Sequence, residues 1–319
     1  MIKQNFYNMK NILITGGAGY IGSKLVTKLI NLKYRVTVVD ILKFSGKSLN
    51  HLFNKKNFKF IKGDVRNKKL IKTLIKKNEY IIPLAALVGA PLCEKNKSEA
   101  ISVNLKSIEF MMQNITKKNK VIYLTTNSGY GVGEKNKFCD EKSPLNPISL
   151  YGRTKVESEK IVMKYNNSIG FRLATVFGYS YRMRTDLLVN NFVFRSLHDK
   201  KLVLFEPHFR RNYIHVQDVV DAIIFSINHF GKLKSNIYNL GLSSANLTKH
   251  MLAKKIQKQL KYLKITEVKN RKDPDQRDYY VSNKKIESKG FKAKVKIEDG
   301  IKELIDVFTY SKEKIVNNY

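Results

Sequence analysis

The residues of this chain best suited to chemistry are a tyrosine and a lysine four positions apart, Tyr151 and Lys155 in the segment YGRTK. An apolar pattern of helical period predicts a helix over Ser149–Tyr165, and residues four apart on a helix share one face. A free tyrosine titrates near about 10, but an adjacent ammonium favours the phenolate. We therefore expect Lys155 to lower the pKa of Tyr151, so that the phenol exchanges protons with a substrate hydroxyl. Pairs with this spacing also occur by chance on solvated helix faces.

A polar run, Thr125-Thr126-Asn127-Ser128, ends the predicted strand before that helix. The hydroxyl of Thr126 could hydrogen-bond the reacting oxygen together with Tyr151. A turn or capping role is the more common function of a single Ser or Thr at a strand end.

Three glycines, Gly16, Gly19 and Gly22, follow a short apolar strand and open a helical pattern over Tyr20–Leu32. A strand that turns through glycines into a helix directs backbone N–H groups and the positive end of the helix dipole at a phosphate. Asp40 ends the next strand, about 20 residues further on, where the dinucleotide fingerprint has an acid on the adenosine ribose. Because that carboxylate would repel a 2′-phosphate, the pattern predicts NAD rather than NADP. The alternative is an ordinary glycine-rich turn.

These residues belong to an alternation of strands and helices that continues to Ala174. The predicted strands are Asn11–Thr15, Tyr34–Val39, Phe58–Lys62, Tyr80–Leu84, Val121–Thr125 and Ser168–Ala174. Predicted helices between them include Lys68–Lys77, Ser98–Ile115 and Ser149–Tyr165. The alternation predicts an α/β fold, a doubly wound parallel sheet of Rossmann type, with ligands beyond the C-terminal ends of the strands.

The pattern loosens after Gly178, which predicts a smaller mixed α/β C-terminal domain for the substrate. Its predicted elements are helices at Asp186–His198, Gln217–Asn228 and Glu298–Phe308, and strands at Lys201–Phe205, Asn212–Val216, Asn236–Leu240 and Ile265–Val268. We predict a cofactor domain over residues 9–180 and a smaller domain over 181–319, with 212–240 returning to the first.

Composition narrows the function classes. The chain has 319 residues and a formal net charge of +34, but the lysines are scattered, so we expect neither a nucleic-acid nor a membrane partner. No apolar run approaches the ~18 residues of a membrane span. The first residues lack a signal-peptide pattern, which favours a cytoplasmic location. Cys93 and Cys139 form no metal-binding spacing, so we expect reduced thiols and no metal site.

Taken together, the motifs resemble the extended short-chain dehydrogenase/reductase family, in its group of NAD-dependent nucleotide-sugar epimerases and dehydratases. The resemblance runs from Met9 to about Phe308. Its marks, besides Asp40, are TGGAGYIG (15–22), GDVR (63–66), LAA (84–86), TTNSGYG (125–131), YGRTK (151–155), FRLATVFG (171–178) and RNYIHVQDVVDAI (211–223).

The resemblance implies NAD as the cofactor, a nucleotide-diphosphate sugar as the substrate and a homodimer. The implied cofactor contacts are Gly16, Gly19, Tyr20, Ile21, Gly22, Asp40, Asp64, Val65, Leu84, Ala85, Ala86, Asn104 and Lys155. Tyr151 would be the general acid/base, with Lys155 on the nicotinamide ribose and Thr126 orienting the sugar hydroxyl. The positive nicotinamide ring would favour the phenolate of Tyr151 together with Lys155. The implied substrate contacts are Thr126, Asn127, Thr175, Arg211 and Arg277, the two arginines clasping the diphosphate.

The two residues directly after Thr126 narrow the reaction. Dehydratases of this group carry Asp-Glu there, and decarboxylating members have a Glu, whereas this chain has Asn127 and Ser128. An epimerase that works by transient oxidation to a keto sugar remains, with C4 as the expected carbon. The run also resembles the Thr-Asn-Lys of epimerases acting at C2, and Thr175 and Asp186 replace residues of the UDP-galactose type. Dehydratase, reductase, another carbon and a non-enzymatic NAD-responsive regulator stay open as alternatives.

Overall fold

The computed structural model describes residues 9–44, 46–134, 137–268 and 277–310. The strands are β1 Asn11–Thr15, β2 Arg35–Asp40, β3 Phe58–Lys62, β4 Tyr80–Pro83, β5 Lys120–Thr126, β6 Phe138–Cys139, β7 Ser168–Leu173, β8 Thr175–Phe177, β9 Lys201–Phe205, β10 Arg210–His215, β11 Asn236–Leu240, β12 Asn246–Thr248, β13 Lys264–Val268 and β14 Tyr280–Val281. The α-helices are α1 Tyr20–Asn31, α2 Lys68–Lys77, α3 Ala90–Lys95, α4 Lys97–Ile101, α5 Ser107–Gln113, α6 Leu150–Met163, α7 Leu188–His198, α8 Val216–Asn228, α9 Phe230–Leu233, α10 Lys249–Gln259, α11 Lys284–Ser288 and α12 Ile297–Tyr310.

The main element is a seven-stranded parallel sheet in the order β11-β7-β5-β4-β1-β2-β3. Its strands bury side chains on both faces: Ile12 and Ile14 pack in one cluster with α1 and α8, and Leu13 packs on the opposite face with α2 and α5. Such two-sided burial is why these strands read as nearly continuous apolar runs. The predicted doubly wound α/β fold is confirmed.

The remaining strands form three small sheets, β8-β10-β12, β9-β13 and β6-β14. A second apolar cluster packs α7, α10 and α12 on these elements, around Phe177, Tyr213, Leu252 and Ile301. Strand β11 joins the large sheet beside β7, whereas β10 pairs with β8 and β12 outside it. The boundary near residue 180 stays a prediction.

The helix predicted over Ser98–Ile115 is found as a continuous helical run from Lys97 to Gln113, but its middle turn is not α-helical. The structure has α4, then a π-helical turn over Ser102–Lys106, then α5. Asn104 lies in that turn, where its side chain bonds both backbone groups of Leu87. A single π-helical turn is too short for the average apolar period of the whole segment to reveal it.

The described part of the chain contains no helix that is both long and apolar enough to cross a membrane.

Candidate active site

A cavity of about 570 Å³ lies along the C-terminal ends of the large sheet and extends under the smaller elements. Its wall is formed by the residues that follow β1 and β3, the ends of β2 and β5, the loop after β4, and parts of α6 and α7. This edge of a parallel sheet is where ligands of such folds bind. Its size is that of a small-molecule site.

The glycine turn between β1 and α1 forms one end of this cavity. Gly16 has a φ of +72°, and a Cβ there would lie 2.5 Å from the backbone nitrogen of Ala85. A Cβ on Gly22 would lie 2.5 Å from the carbonyl oxygen of Gly16. A Cβ on Gly19 would have one close neighbour, the carbonyl oxygen of Gly16 at 3.1 Å. Gly19 is also the N-cap residue of α1, and no side chain caps the helix there. Gly16 and Gly22 therefore allow the turn to fold, while Gly19 leaves the helix N-terminus open to an anion.

Asp40 lies beside this turn at the end of β2. Its carboxylate accepts the N–H groups of Ala18 at 2.9 Å and of Leu42 at 2.8 Å. Burial raises the pKa of Asp40, and these two bonds together with the nearby charge of Arg182 oppose the rise. Further lone pairs on the carboxylate can accept hydroxyls, as contact with a ribose requires. The glycine turn and the carboxylate of Asp40 together fit the pyrophosphate and the ribose of a dinucleotide.

Tyr151 and Lys155 both line the cavity from α6, whose first turn is capped by the Ser149 side chain on the N–H of Gly152 at 3.1 Å. The ammonium of Lys155 lies 4.1 Å from the ring centre of Tyr123 on β5. Burial lowers the pKa of Lys155 to about 7, and nearby Glu159 opposes this.

Lys155 and the nicotinamide ring together are predicted to lower the pKa of Tyr151, and this stays a prediction; in the protein alone, the pKa of Tyr151 is raised. Burial raises the pKa of the phenol to about 12; the nearby thiol of Cys93 adds to the rise, and Arg184 and Arg277 oppose it. The physical reason is that removal from water dominates, while the ammonium of Lys155 lies against the ring of Tyr123.

Thr126 and Ser128 form a hydrogen-bonded pair at the end of β5. The hydroxyl of Thr126 donates to Ser128 Oγ at 2.9 Å and accepts the N–H of Ser128 at 3.1 Å. Arg277 Nη1 also donates to Ser128 Oγ. Because Ser128 Oγ accepts twice, its own proton is directed elsewhere, and both hydroxyls lie on the cavity wall with Tyr151.

The structure brings most of the predicted site residues together. Those that line the cavity are Gly16, Gly19, Tyr20, Ile21, Gly22, Asp40, Asp64, Val65, Leu84, Ala85, Ala86, Thr126, Tyr151, Lys155, Thr175, Arg211 and Arg277.

Two predicted contact residues, Asn104 and Asn127, lie outside the cavity wall. Asn104 is buried and accepts the N–H of Leu87 at 2.8 Å while donating to its carbonyl at 3.0 Å, so it fixes the loop after β4. Asn127 is 1% exposed, and within the described residues its amide has no hydrogen-bond partner. Asn104 is bonded to the loop after β4 through Leu87, and direct contact of either asparagine with a ligand stays a prediction.

Sequence reasoning missed several cavity residues that follow β8. Arg184 forms a buried ion pair with Asp186, and Arg182 lies beside them on the same loop. Lys249 and Tyr279 reach the wall from elements distant in sequence. For Arg182 and Arg184, the sequence offered one signal of a site, the segment RMRTD with two arginines just beyond a strand end. For Lys249 and Tyr279 it offered none, because their positions depend on tertiary packing.

Comparison with known proteins adds the decisive observation. The model of the NAD dependent epimerase/dehydratase family matches residues 12–241, well over half of the chain. The chain belongs to this family. The match confirms the resemblance read from the motifs, and NAD as the cofactor of this enzyme.

Relatives of this family member include both reaction types. A trifunctional UDP-glucose 4,6-dehydratase/UDP-4-keto-6-deoxy-D-glucose 3,5-epimerase/UDP-4-keto-L-rhamnose-reductase from Arabidopsis thaliana is 27% identical over 329 residues, covering 96% of this chain but 48% of that protein. The chain thus spans about half the length of that relative. The dTDP-D-glucose 4,6-dehydratase of Mus musculus is 28% identical over 320 residues, covering 93% of this chain and 88% of that one. The UDP-glucose 4-epimerase of Thermotoga maritima, solved with UDP-glucose, superposes with a TM-score of 0.81 at 26% identity, covering 94% and 98%.

Proposed function

We propose that this family member is an epimerase of a nucleotide-diphosphate sugar, acting at C4 of the sugar by transient oxidation. The observation that carries the proposal is the chemistry beside Thr126. Removal of water needs an acid to protonate the leaving hydroxyl and a base to take the proton from carbon. Asn127 is enclosed and Ser128 is engaged by Thr126 and Arg277, so neither residue supplies that pair.

The four cavity-lining carboxylates of the described residues support this proposal. The end of the cavity beside the proposed adenosine position is lined by Asp40, Asp64 and Glu99. Asp64 is paired with Arg66, and Glu99 is paired with Lys43. Asp186 is paired with Arg184. A carboxylate that is engaged by a cation suits binding and positioning better than proton transfer.

In the proposed reaction Tyr151 takes the proton of the sugar hydroxyl and later returns it. The hydroxyl hydrogen of Thr126 turns from Ser128 to the reacting oxygen and holds it against the phenol. Arg184 and Arg277 favour the phenolate, since both already oppose the rise in the pKa of Tyr151. Bound NAD would supply the hydride acceptor and donor at the sugar carbon, and its positive nicotinamide ring would also favour the phenolate of Tyr151.

The arginines at the other side of the cavity suit the diphosphate of the substrate. Arg211 is buried on β10 with its guanidinium 5.8 Å from the ring centre of Tyr279. A planar guanidinium can bind phosphate oxygens in bidentate fashion and stack on an aromatic face at the same time. From the family resemblance we also propose a homodimer located in the cytoplasm.

A dehydratase is the second candidate. Its support is the similarity to the mouse dTDP-D-glucose 4,6-dehydratase. Inversion at a carbon other than C4 is a variant of the first proposal.

The test is to incubate the purified enzyme with a panel of UDP-, GDP-, dTDP- and CDP-sugars and to analyse the products by chromatography and mass spectrometry. We expect one sugar to give a new peak of unchanged mass without added NADH, and the variant Tyr151→Phe to give none. A product lighter by one water would establish the dehydratase instead. A peak formed equally by Tyr151→Phe would overturn the assigned mechanism.

A further inference from the structure

Residues 178–186, which we call the arginine loop, connect the smaller elements to the first turn of α1. The phenol of Tyr20 donates to the carbonyl of Gly178 at 2.6 Å, and Lys24 Nζ donates to that of Tyr179 at 2.9 Å. Ser180 Oγ donates to the carbonyl of Tyr20 at 2.5 Å. The arginine loop is therefore fastened to the helix whose N-terminus follows the glycine turn.

Arg182 is the charged residue that this attachment brings to the cofactor side. Its backbone N–H lies 3.3 Å from Ser23 Oγ in the first turn of α1. Its guanidinium lies 4.8 Å from the ring centre of Phe44, in the loop after β2, and is near enough to Asp40 to affect its pKa. The side chain lines the cavity although the residue is only 5% exposed.

A buried guanidinium is stabilised by nearby anions, and the carboxylates of Asp186 and Asp40 both favour the charged form of Arg182. Burial and the neighbouring Arg184 both lower the pKa of Arg182, which nevertheless stays at about 10, so the group is charged at neutral pH. Arg182 also lines the cavity together with the glycine turn, so its guanidinium faces the space where an anion at that turn would bind. The open helix N-terminus beside Ser23 is suited to a phosphate, and a guanidinium is the side chain that binds phosphate oxygens best.

We propose that Arg182 binds the pyrophosphate of NAD, as a cofactor ligand supplied from outside the glycine turn by the arginine loop. Because Arg184 and Asp186 line the same cavity from the same loop, one segment would then contact both cofactor and substrate. The proposal rests on NAD binding alone and is independent of the sugar reaction.

The test measures binding without any sugar, by calorimetry on cofactor-stripped enzyme, for wild type, Arg182→Gln, Arg182→Lys and the control Arg195→Gln. Arg195 is an exposed arginine of α7 that pairs with Asp199. The ligands are NAD, ADP-ribose, NADP and, by competition, adenosine. We expect Arg182→Gln to weaken NAD and ADP-ribose equally, by about 10- to 100-fold, because a charge-assisted contact is lost. Adenosine affinity should not change, Lys should restore part of the loss, and Arg195→Gln should match wild type.

Three results would overturn the proposal. Unchanged NAD affinity would show that Arg182 does not contact the cofactor. An equal loss for adenosine would show that it only shapes the Asp40 region. A loss confined to NADP would assign it to a 2′-phosphate. Melting curves without ligand establish whether each variant is folded. If Arg182→Gln does not fold, the affinities of Arg182→Lys for the same ligands decide, since that variant keeps the charge but loses the planar guanidinium.

Discussion

At the residue scale, the site depends on a phenol and an ammonium that burial shifts in opposite directions. The pKa of Tyr151 is raised to about 12 and that of Lys155 is lowered to about 7, in both cases first by removal from water. The types and spacing of the two residues were readable from the sequence, as was Thr126 at the strand end. The contact of Lys155 with Tyr123 was not, because it joins a helix to a strand that is distant in sequence.

Replacing Tyr151 by Phe should lower turnover by about 10²- to 10⁴-fold, because the general acid/base is removed while the shape of the site is kept. NAD content of the purified protein should not change. Turnover and bound NAD are to be measured beside Tyr262→Phe, which alters a half-exposed tyrosine of the smaller domain. Wild-type turnover in Tyr151→Phe would contradict the role given to the phenol.

The low pKa of Lys155 predicts a dependence of stability on pH. An unfolded lysine titrates near 10.5 and the folded one near 7, so between these values the folded state binds fewer protons. Stability therefore rises with pH across that window, and the full cost of burying the ammonium applies below it. Lys155→Met should stabilise the NAD-free protein at pH 6 by up to about 5 kcal/mol, and by much less at pH 10. Denaturant unfolding at both pH values measures this, and an equal effect at both would contradict it.

At the element scale, a buried ion pair adds to the packing of α6 on the sheet. Arg172 on β7 donates to Glu159 on α6 at 2.6 Å, with both side chains 6% exposed, and its Nη1 donates to the phenol of Tyr130 at 3.0 Å. The pair therefore joins the helix of Tyr151 and Lys155 to the sheet. Helix and strand limits were predictable from apolar periodicity. The ion pair was not, because nothing in the sequence near either residue indicates which residue it pairs with.

Arg172→Met should destabilise the protein by about 3–5 kcal/mol, because Glu159 would be left buried and charged without its partner. The double variant Arg172→Met/Glu159→Gln should recover much of that loss. Arg195→Met breaks an exposed pair and should cost less than about 1 kcal/mol. Urea unfolding without NAD measures all three, and equal effects for the buried and exposed pairs would contradict the argument.

The glycines of the α1 turn should separate folding from cofactor binding. Gly22→Ala should destabilise the protein, since its Cβ would meet two backbone groups of the turn, at 2.5 and 2.7 Å. Gly19→Ala should unfold near the wild-type temperature but bind NAD weakly, because the methyl would lie at the open helix N-terminus. Gly231→Ala, with no atom within 4 Å of the added Cβ, is the control. Thermal melting with and without NAD distinguishes the three variants. Normal NAD affinity in Gly19→Ala would contradict the proposal that the open N-terminus of α1 binds the cofactor.

At the scale of the whole molecule, one cavity joins a large sheet, predictable from its regular alternation, to smaller elements that were only partly predictable. Lys201–Phe205 was predicted as a strand, but its pairing with β13 was not, since more than 50 residues of chain separate them. The arginine loop was missed for a similar reason: its role comes from its bonds to α1. The cofactor half of the site follows a contiguous motif, whereas the substrate half is assembled from distant segments.

The central claim, an epimerase that returns its hydride, is tested most directly by the mass of the product formed in D₂O. Once a substrate is known from the nucleotide-sugar panel, the reaction is run in D₂O and the product is analysed by mass spectrometry. An internally returned hydride predicts a product of the same mass as the substrate, with no deuterium bound to carbon. A product lighter by one water, or an isomer carrying one deuterium on carbon, would mean that a proton is taken from carbon and would contradict the account.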